Sequence, residues 1–315
     1  MSALINKLIV FVALLIVGYA GARKGMLPRE FTVSGNKLVL NVFMVASILN
    51  SVMSNPPQMS GTALLVAVAV MSGVMVFSYV AAAVLVRVFR LKGERAPLFE
   101  MLVSVMNPMF IGIPVAEALY GGEAVFYVAL VNLSFNLILF SYGVWRMKAK
   151  PGEKASLSLK DVLTAPMIAT LLSILIFVVH LPIPGVISGL VSTMSGATMP
   201  LSMVVIGSSL GGVRVKDAFN EGSLYVVAGL RLLFLPLLTW LVLRLLPIDP
   251  LLYASALITA ACPSGIMVGV LALQYGRDAT YCSKGIMLNT LLSMVTIPLL
   301  VKLLLYVGVT MMLNS

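Results

Sequence analysis

The sequence predicts an all-α integral membrane protein whose ten transmembrane helices form two inverted repeats of five. Three observations support this fold: a very apolar composition, a matched pair of prolines in the two halves, and basic residues confined to alternate loops. Of the 315 residues, 60% are apolar and 10% are charged, and the mean hydropathy is +1.08. A water-soluble domain could not expose such a composition on its surface.

Ten apolar runs are long enough to cross the hydrocarbon core of a bilayer as helices, which takes about 20 residues. They lie at residues 4–22, 38–55, 61–86, 97–120, 123–145, 161–180, 189–211, 222–246, 250–273 and 281–309. Lys7 is the only early basic residue of the first run, and Arg23 follows that run directly. This arrangement favours a retained first span over a cleaved signal peptide.

A short pattern recurs in the two halves of the chain, displaced by 155 residues. Asn107-Pro108 is followed by Tyr120-Gly121, and Cys262-Pro263 is followed at the same distance by Tyr275-Gly276. Each proline lies near the middle of an apolar run, where it removes a backbone hydrogen bond and clashes with the preceding turn. The pattern predicts that two helices, the fourth and the ninth, are broken. It also predicts a duplicated chain, with repeats at 1–146 and 161–315 joined by a cytoplasmic linker at 147–160.

Basic residues alternate from one predicted loop to the next. Seventeen of the 21 lie at one membrane face: Arg23, Lys24, Arg29, Lys37, Arg87, Arg90, Lys92, Arg95, Arg146, Lys148, Lys150, Lys154, Lys160, Arg214, Lys216, Arg277 and Lys284. The positive-inside rule makes this face cytoplasmic and both termini extracytoplasmic. Because five spans per repeat is an odd number, the second repeat enters the membrane in the opposite orientation. The net charge of +10 is therefore explained by topology, and no nucleic-acid partner is expected.

Paired helix breaks at membrane depth favour a binding site. A break leaves carbonyls and amides without intrahelical partners, and these groups bind ions and polar ligands. Matched broken helices in inverted repeats are typical of secondary transporters, with the substrate near the midplane. The candidate substrate-binding residues at the breaks are Asn107, Pro108, Gly112, Pro263, Ser264 and Gly265. The alternative is that both prolines simply kink packed helices.

Other polar residues within the spans are further candidates, because polar groups in lipid tend to face a bundle interior. Asn132 and Asn136 lie one turn apart on the fifth span and contact either substrate or a neighbouring helix. Arg231 is the one basic residue well inside a span; it either snorkels to the headgroups or attracts an anion. Glu117 is the acidic residue deepest in a span and is a candidate proton relay near the outer interface.

Enzymatic and metal chemistry are not expected. Two cysteines and one histidine cannot assemble a usual zinc site. The sequence contains no Gly-rich phosphate loop in a strand-to-helix context, no nucleophile elbow and no metalloprotease helix. We expect no catalytic residue, no metal and no cofactor.

Several strings, taken in order, resemble the auxin efflux carrier family, the bacterial relatives of plant PIN carriers. The resemblance extends over nearly the whole chain. The strings that carry it are Asn36–Val42, Asn107–Pro114, Met199–Leu201 with Gly207–Leu210, Arg231 with Pro236, and Ala261–Gly265. The resemblance implies that the fourth and ninth helices cross at Pro108 and Pro263, as in sodium/bile acid symporters and sodium/proton antiporters. It makes Asn107 and Ser264 the polar neighbours of the crossover, and it implies a scaffold domain that forms a homodimer.

The resemblance also implies a function. We expect a multi-pass secondary active transporter of the cell membrane that moves a small organic anion by elevator-type alternating access, with coupling to protons or sodium left open. The expected cargo is an auxin-like acid or, as for bacterial members of the family, a malate- or malonate-type carboxylate; the chain lacks the long cytosolic loop of the plant carriers, a departure that counts against auxin itself. The alternative function is a membrane ligand sensor or assembly component that binds without translocating.

Overall fold

The computed structural model describes residues 2–53, 60–148, 164–212 and 215–312. From residue 149 onward, the predicted linker at 147–160 lies outside the described residues. The described residues are helical, apart from turns and one isolated β-bridge. The sequence-based expectation of an all-α chain is confirmed for this part of the protein.

The helices vary widely in length, and several are joined end to end by wider π turns. They are α1 (Ser2–Arg23), α2 (Arg29–Leu38), α3 (Met44–Met53), α4 (Gly61–Val88), α5 (Arg95–Ser104), α6 (Ile113–Tyr120), α7 (Gly122–Leu130), α8 (Asn132–Ile138), α9 (Val144–Met147), α10 (Ala165–Val179), α11 (Gly185–Leu210), α12 (Val215–Phe219), α13 (Gly222–Gly229), α14 (Leu235–Leu243), α15 (Pro250–Ala261), α16 (Met267–Gln274) and α17 (Ala279–Met312). The π turns are Val39–Phe43, Pro108–Gly112, Leu139–Gly143 and Leu230–Phe234.

Five helical stretches among the described residues are long and apolar enough to cross a membrane. They are Glu30–Met53, Gly61–Val88, Gly185–Leu210, Gly222–Leu243 and Ala279–Val301. A sixth is obtained if Gly122–Ile138 and Ser141–Met147, which are bent by 42°, form one span. Shorter apolar helices lie at Ala13–Arg23, Pro108–Tyr120, Ala165–Val179 and Pro250–Ala261. The chain is therefore a multi-pass helical membrane protein, and the full count of ten spans stays a prediction.

The chain forms two compact units, and each takes segments from both halves of the sequence. The first unit contains residues 1–69, 108–133 and 163–212, and the second contains residues 70–107, 134–162 and 213–315. The repeats at 1–146 and 161–315 describe how the sequence is duplicated, whereas these units describe which segments pack together. The break at Pro108 thus falls at a boundary between units.

The first unit is organised by a close helix pair, α1 against α11. A Cβ atom on Gly18 would lie 2.1 Å from the carbonyl oxygen of Val204, and one on Gly207 would lie 2.1 Å from that of Leu15. Small residues allow membrane helices to approach at this distance, where lipid provides no hydrophobic driving force between them. These two glycines therefore set the spacing of the pair.

Hydroxyl groups on α11 add polar contacts within the same unit. The Thr198 hydroxyl donates to the carbonyl oxygen of Phe43 at 2.8 Å, and Phe43 lies in the π turn between α2 and α3. The hydroxyls of Ser208 and Thr32 are 3.0 Å apart. A π turn leaves a backbone group without its regular helical partner, so a threonine from the facing helix stabilises the turn.

The second unit is built around the beginning of α17, which packs against α13, α15 and α16. Helix α5 packs against α13, α16, α17 and the π turn at Leu230–Phe234, and every one of its residues from Ala96 to Ser104 is buried. The C-terminal end of α5 is thus buried inside the unit, where water cannot donate hydrogen bonds to its free carbonyls.

We predict that Gly207→Ala destabilises the protein because the added methyl group forces α1 and α11 apart. Overpacking of this kind costs about 1–3 kcal/mol, so the thermal midpoint in detergent should fall by about 5 °C. Fluorescence-detected thermal unfolding of the purified protein measures the effect.

Gly189→Ala is the matched control. Gly189 lies on the same helix, is exposed, and has no atom within 4 Å of an added Cβ. Because alanine favours a helix over glycine, this variant should keep or slightly raise the midpoint. If both variants lowered the thermal midpoint equally, the conclusion that Gly207 sets the spacing between α1 and α11 would be contradicted.

Candidate functional site

Both helices that carry the matched prolines are interrupted next to them. Helix α5 ends at Ser104, and Val105 is extended, with φ −77° and ψ 111°. Helix α15 ends at Ala261, and Cys262 is extended, with φ −60° and ψ 143°. Cys262 directly precedes Pro263, whose ring drives it out of the helical region, whereas Val105 lies three residues before Pro108, whose missing amide leaves the Ser104 carbonyl without its regular helical donor. The breaks therefore arise locally from the sequence, at the positions that the prolines predict.

The two interrupted segments meet in the second unit. Met106 and Ser264 form an antiparallel β-bridge, and the Gly265 amide donates to the Val105 carbonyl oxygen at 2.9 Å. A Cβ atom on Gly265 would lie 2.7 Å from the Met106 carbonyl oxygen. Glycine is needed here because the two backbones approach each other directly. The sequence makes Gly265 a candidate substrate-binding residue; in the structure it allows the backbones of the two breaks to make contact.

Arg231 lies against both breaks, and its side chain is completely buried. Its Nε donates to the Cys262 carbonyl oxygen at 2.8 Å, and its Nη2 donates to that of Ala260 at 2.6 Å. Its Nη1 donates to the Val103 carbonyl oxygen at 3.3 Å and to the Ser78 hydroxyl at 3.0 Å. One guanidinium therefore binds the C-terminal ends of α5 and α15 together.

This geometry places a cation at the negative ends of two helix dipoles, where positive charge is favoured. Among the described residues, no carboxylate reaches Arg231, so backbone carbonyls and one hydroxyl are its partners. The snorkelling alternative does not fit a guanidinium that is buried and donates four hydrogen bonds inside the unit. Attraction of an anion by Arg231 acts mainly through its uncompensated charge, since four of its five N–H donors already have acceptors.

The remaining carbonyls at the end of α5 are also bound. The Ser78 hydroxyl donates to the Ser104 carbonyl oxygen at 3.0 Å, and the Ser264 hydroxyl donates to that of Leu102 at 2.5 Å. A broken helix in a membrane cannot rely on water for these groups, and an unsatisfied one costs several kcal/mol. Ser264, predicted as a substrate contact, thus has an internal role in the break.

Asn289 on α17 extends this network and leaves one acceptor unused. Its Nδ2 donates to the Ser264 hydroxyl at 2.5 Å. Because the single hydroxyl proton of Ser264 goes to the Leu102 carbonyl, Ser264 can only accept from Asn289, which fixes the orientation of the amide. The Oδ1 atom of Asn289 is buried and has no partner among the described residues. A ligand or water that donates a hydrogen bond fits this position.

The other predicted residues of the second unit are Asn107 and Asn136. Asn107 follows Met106 of the bridge and is 6% exposed, and Asn136 on α8 is 5% exposed. Asn107 thus joins Pro263, Ser264, Gly265 and Arg231 at the bridged breaks. Whether Asn136 reaches the same ligand stays a prediction.

The remaining predicted residues belong to the first unit. Pro108 and Gly112 bound the buried π turn that opens the second half of the broken helix. Asn132 donates to the Thr170 hydroxyl at 3.4 Å, an interhelical hydrogen bond. Glu117 is partly buried and bonds the side chain of Ser195. Its role as a proton relay stays a prediction.

Sequence analysis missed Glu100, the most deeply buried carboxylate among the described residues. This side chain is 1% exposed, whereas Glu117 is only partly buried, so depth along a span did not identify the buried acid. Glu100 pairs with Arg146, whose Nη2 lies 2.6 Å from Oε2. An acidic residue near the start of a long apolar run was the available signal. Among the described residues, no three His, Cys, Asp or Glu side chains are grouped so as to hold a metal ion.

We predict that Arg231→Met prevents the protein from folding stably, because three backbone carbonyls lose a charged donor. Each buried unsatisfied group costs about 1–3 kcal/mol. Arg231→Lys should be intermediate, since one ammonium cannot reproduce the fork of the guanidinium. Yield of monodisperse protein and the thermal midpoint measure both effects.

Arg244→Met is the control for this series. Arg244 is exposed and lies over the Trp240 ring, with 5.2 Å from its Cζ to the ring centroid. A surface cation–π contact contributes about 0.5–1 kcal/mol, so this variant should change the midpoint little. If Arg231→Met were as stable as Arg244→Met, the role of Arg231 in joining the C-terminal ends of α5 and α15 would be contradicted.

Comparison with known proteins agrees with this membrane architecture. A family model described as "Membrane transport protein" matches residues 3–301. An uncharacterized transporter of Methanothermobacter thermautotrophicus is 26% identical over 287 residues, which cover 91% of this chain and 93% of the relative. An uncharacterized transporter of Methanocaldococcus jannaschii is 26% identical over 302 residues, which cover 93% of this chain and 96% of the relative. The chain therefore belongs to the membrane transport protein family, the family of the auxin efflux carriers that its motifs resemble.

Proposed function

We propose that this protein is a secondary active transporter of a small organic anion, with the substrate bound beside the bridged breaks of α5 and α15. The observation that carries the proposal is a buried arginine that joins both breaks and has no carboxylate partner among the described residues. Family membership supports transport in general. The cargo class follows from the electrostatics of the breaks.

An anion is the favoured cargo for two physical reasons. The Arg231 guanidinium adds a full positive charge in a membrane interior, where carbonyl dipoles only partly compensate it. Helix α16 begins at Met267 just after the second break, and the positive end of its dipole adds to this charge, while the amides of Val268, Gly269 and Val270 already donate to the Gly265 and Ile266 carbonyls. A carboxylate at this position interacts favourably with both the charge and the helix start. The expected substrates are auxin-like acids and malate- or malonate-type carboxylates.

Polar groups near the breaks suit the remainder of such a molecule. The free Oδ1 of Asn289 accepts a hydrogen bond from a substrate hydroxyl or a bound water. Asn107, beside the bridge, provides a further amide. Asn136 is proposed as a more distant contact. Ser264 contributes indirectly, because its hydroxyl orients the Asn289 amide.

The proposal includes an architecture that suits alternating access. Ten spans in two inverted five-helix repeats, with both termini extracytoplasmic, are supported by the 155-residue offset and the alternation of basic loops. Elevator-type movement and a homodimer are supported by resemblance to the auxin efflux carriers. Coupling to protons or sodium is left open, with Glu117 a candidate for carrying a proton.

We predict that purified protein in liposomes transports a radiolabelled carboxylate from a panel of malate, malonate and indole-acetate, and that two variants lower the flux. Asn107→Ala removes a polar contact beside the bridge, and Ser264→Ala releases the Asn289 amide from its fixed orientation. Each should lower the flux at least about tenfold, the loss expected for removing one hydrogen-bonding group.

Asn220→Ala is the control, because Asn220 lies exposed in a turn. The thermal midpoint of each variant separates lost transport from lost folding. If a demonstrated flux is unchanged in both variants, the site assignment fails. Specific ligand binding without any counterflow would instead favour the sensor or assembly component.

A further inference from the structure

The buried Glu100 carboxylate lies in a complete set of hydrogen-bond donors within the second unit. The Arg146 Nε and Nη2 atoms lie 2.8 Å and 2.6 Å from its Oε2 atom. The Tyr142 hydroxyl donates to the other oxygen, Oε1. Glu100 is 1% exposed, so this carboxylate has exchanged its hydration for these donors.

A guanidinium and a phenol that bind both oxygens of a carboxylate are the same donors that would recognise a carboxylate ligand. In this structure the acceptor is a side chain of the protein itself. Access differs between the two partners: the Arg146 side chain is 26% exposed, whereas that of Glu100 is 1% exposed. An anion from outside could thus reach Arg146 without passing through the buried acid.

A spare donor lies beside this cluster. The Tyr79 hydroxyl is buried and has no hydrogen-bond partner among the described residues. The Tyr79 ring stands edge-on to that of Tyr142, with 5.7 Å between centroids. A buried hydroxyl left unpaired loses the free energy of a hydrogen bond, which an additional acceptor at this position would restore.

Other charged or titratable groups lie on the elements packed against α5, and their interactions are with different partners. They are Tyr225 on α13, Arg231 on the π turn, Tyr281, Cys282 and Lys284 on α17, and Lys148 after α9. Arg231 is bound by carbonyls, Tyr281 by Ser223, and Lys148 lies over the Tyr275 ring. Among the described residues, Glu100 is hydrogen-bonded by Tyr142 and Arg146 alone.

We propose that Glu100, Arg146, Tyr142 and Tyr79 form a proton-gated binding site for the carboxylate of an organic anion. A proton from water adds to the Glu100 carboxylate and forms a neutral acid, which ends its ion pair with Arg146. The Arg146 guanidinium stays protonated, and it and the tyrosine hydroxyls then donate to the incoming carboxylate. No covalent bond other than the new O–H forms or breaks.

Charge is conserved in this exchange, because one proton and one negative charge enter together. The pair formed by Glu100 and Arg146 is neutral before, and the set of neutral acid, guanidinium and anion is neutral after. Glu100 lies four residues before the end of α5, which is about 6 Å along the helix axis from the break. As a coupling device the site rests on the proposed transport function, but its binding chemistry can be measured without transport.

Tryptophan fluorescence provides a local readout. The chain has two tryptophans, and Trp240→Phe leaves Trp145, whose ring centroid lies 5.7 Å from that of Tyr142. In this background, malonate is titrated at about pH 5 and about pH 8, both above the range in which glutamate side chains ordinarily gain protons. One malonate carboxyl stays ionised throughout. We expect tighter binding at the lower pH, together with uptake of one proton per malonate, measured with an indicator dye in weak buffer.

Substitutions at two positions test the two partners separately. Glu100→Gln imitates the neutral acid, so malonate should bind it at least about tenfold tighter than the parent at the higher pH, and the only pH dependence and proton uptake left should be those of malonate's own second carboxyl, which also gains a proton in this range. Arg146→Gln should weaken binding at the lower pH at least about tenfold, and Arg146→Lys should restore part of it. Thermal midpoints confirm that each variant is folded.

Glu221→Gln is the matched control, because it removes the carboxylate of an exposed ion pair with Arg95 in the same unit. This variant should keep the pH dependence of the parent. The proposal is overturned if Glu100→Gln keeps the full pH dependence or the full proton uptake of the parent. It is equally overturned if folded Arg146→Gln binds malonate as the parent does, or if malonate does not bind the parent at either pH.

Failure of this proposal is distinguishable from failure of the transport function. Carboxylate flux that persists with an unchanged pH profile in Glu100→Gln would overturn the gating and leave transport intact. Proton-linked malonate binding without flux would leave the gating intact and overturn transport.

Discussion

The physical constraint on which this structure depends is that a broken helix in a membrane must find protein partners for its backbone. Water is absent from the hydrocarbon core, so each free carbonyl or amide there costs several kcal/mol. Two helices are broken by prolines in this chain, and their free carbonyls converge in one unit. Arg231, Ser78 and Ser264 satisfy them with side-chain donors. The geometry of the candidate site is the arrangement of these donors.

An arginine is suited to this position in a way that neutral side chains are not. Five N–H donors in a rigid fork reach acceptors from two helices at once, whereas a serine can donate one bond. Burial of a guanidinium is unfavourable by itself, and the hydrogen bonds together with the two helix dipoles offset part of that cost. The positive charge of Arg231 has no carboxylate to neutralise it among the described residues. This charge connects the stability of the breaks to the proposed preference for anions.

The breaks and the membrane architecture were accessible from sequence because their causes are local. Pro108 and Pro263 disrupt a helix whatever surrounds them. The length of each apolar run indicates that the segment lies in a lipid bilayer rather than in water. The partners of Arg231 were not accessible, since Ser78 and Val103 are 153 and 128 residues distant in the chain. Glu100 was missed for a related reason: burial depends on neighbours from other helices, and one acidic residue in an apolar run does not reveal them. Segments from both sequence halves likewise pack into each unit, which a repeat pattern alone does not determine.

The bonds of Arg231 also set an order for assembly of the protein at the ribosome. Ser78 and Val103 are synthesised before Arg231, whereas Ala260 and Cys262 follow it by 29 and 31 residues. Placing an arginine at the centre of a membrane helix costs about 2.5–3.5 kcal/mol during insertion. The nascent chain therefore carries an incompletely bonded cation in the bilayer until the segment through Cys262 has entered. All four acceptors of Arg231 are therefore present only once the ninth predicted span has been completed.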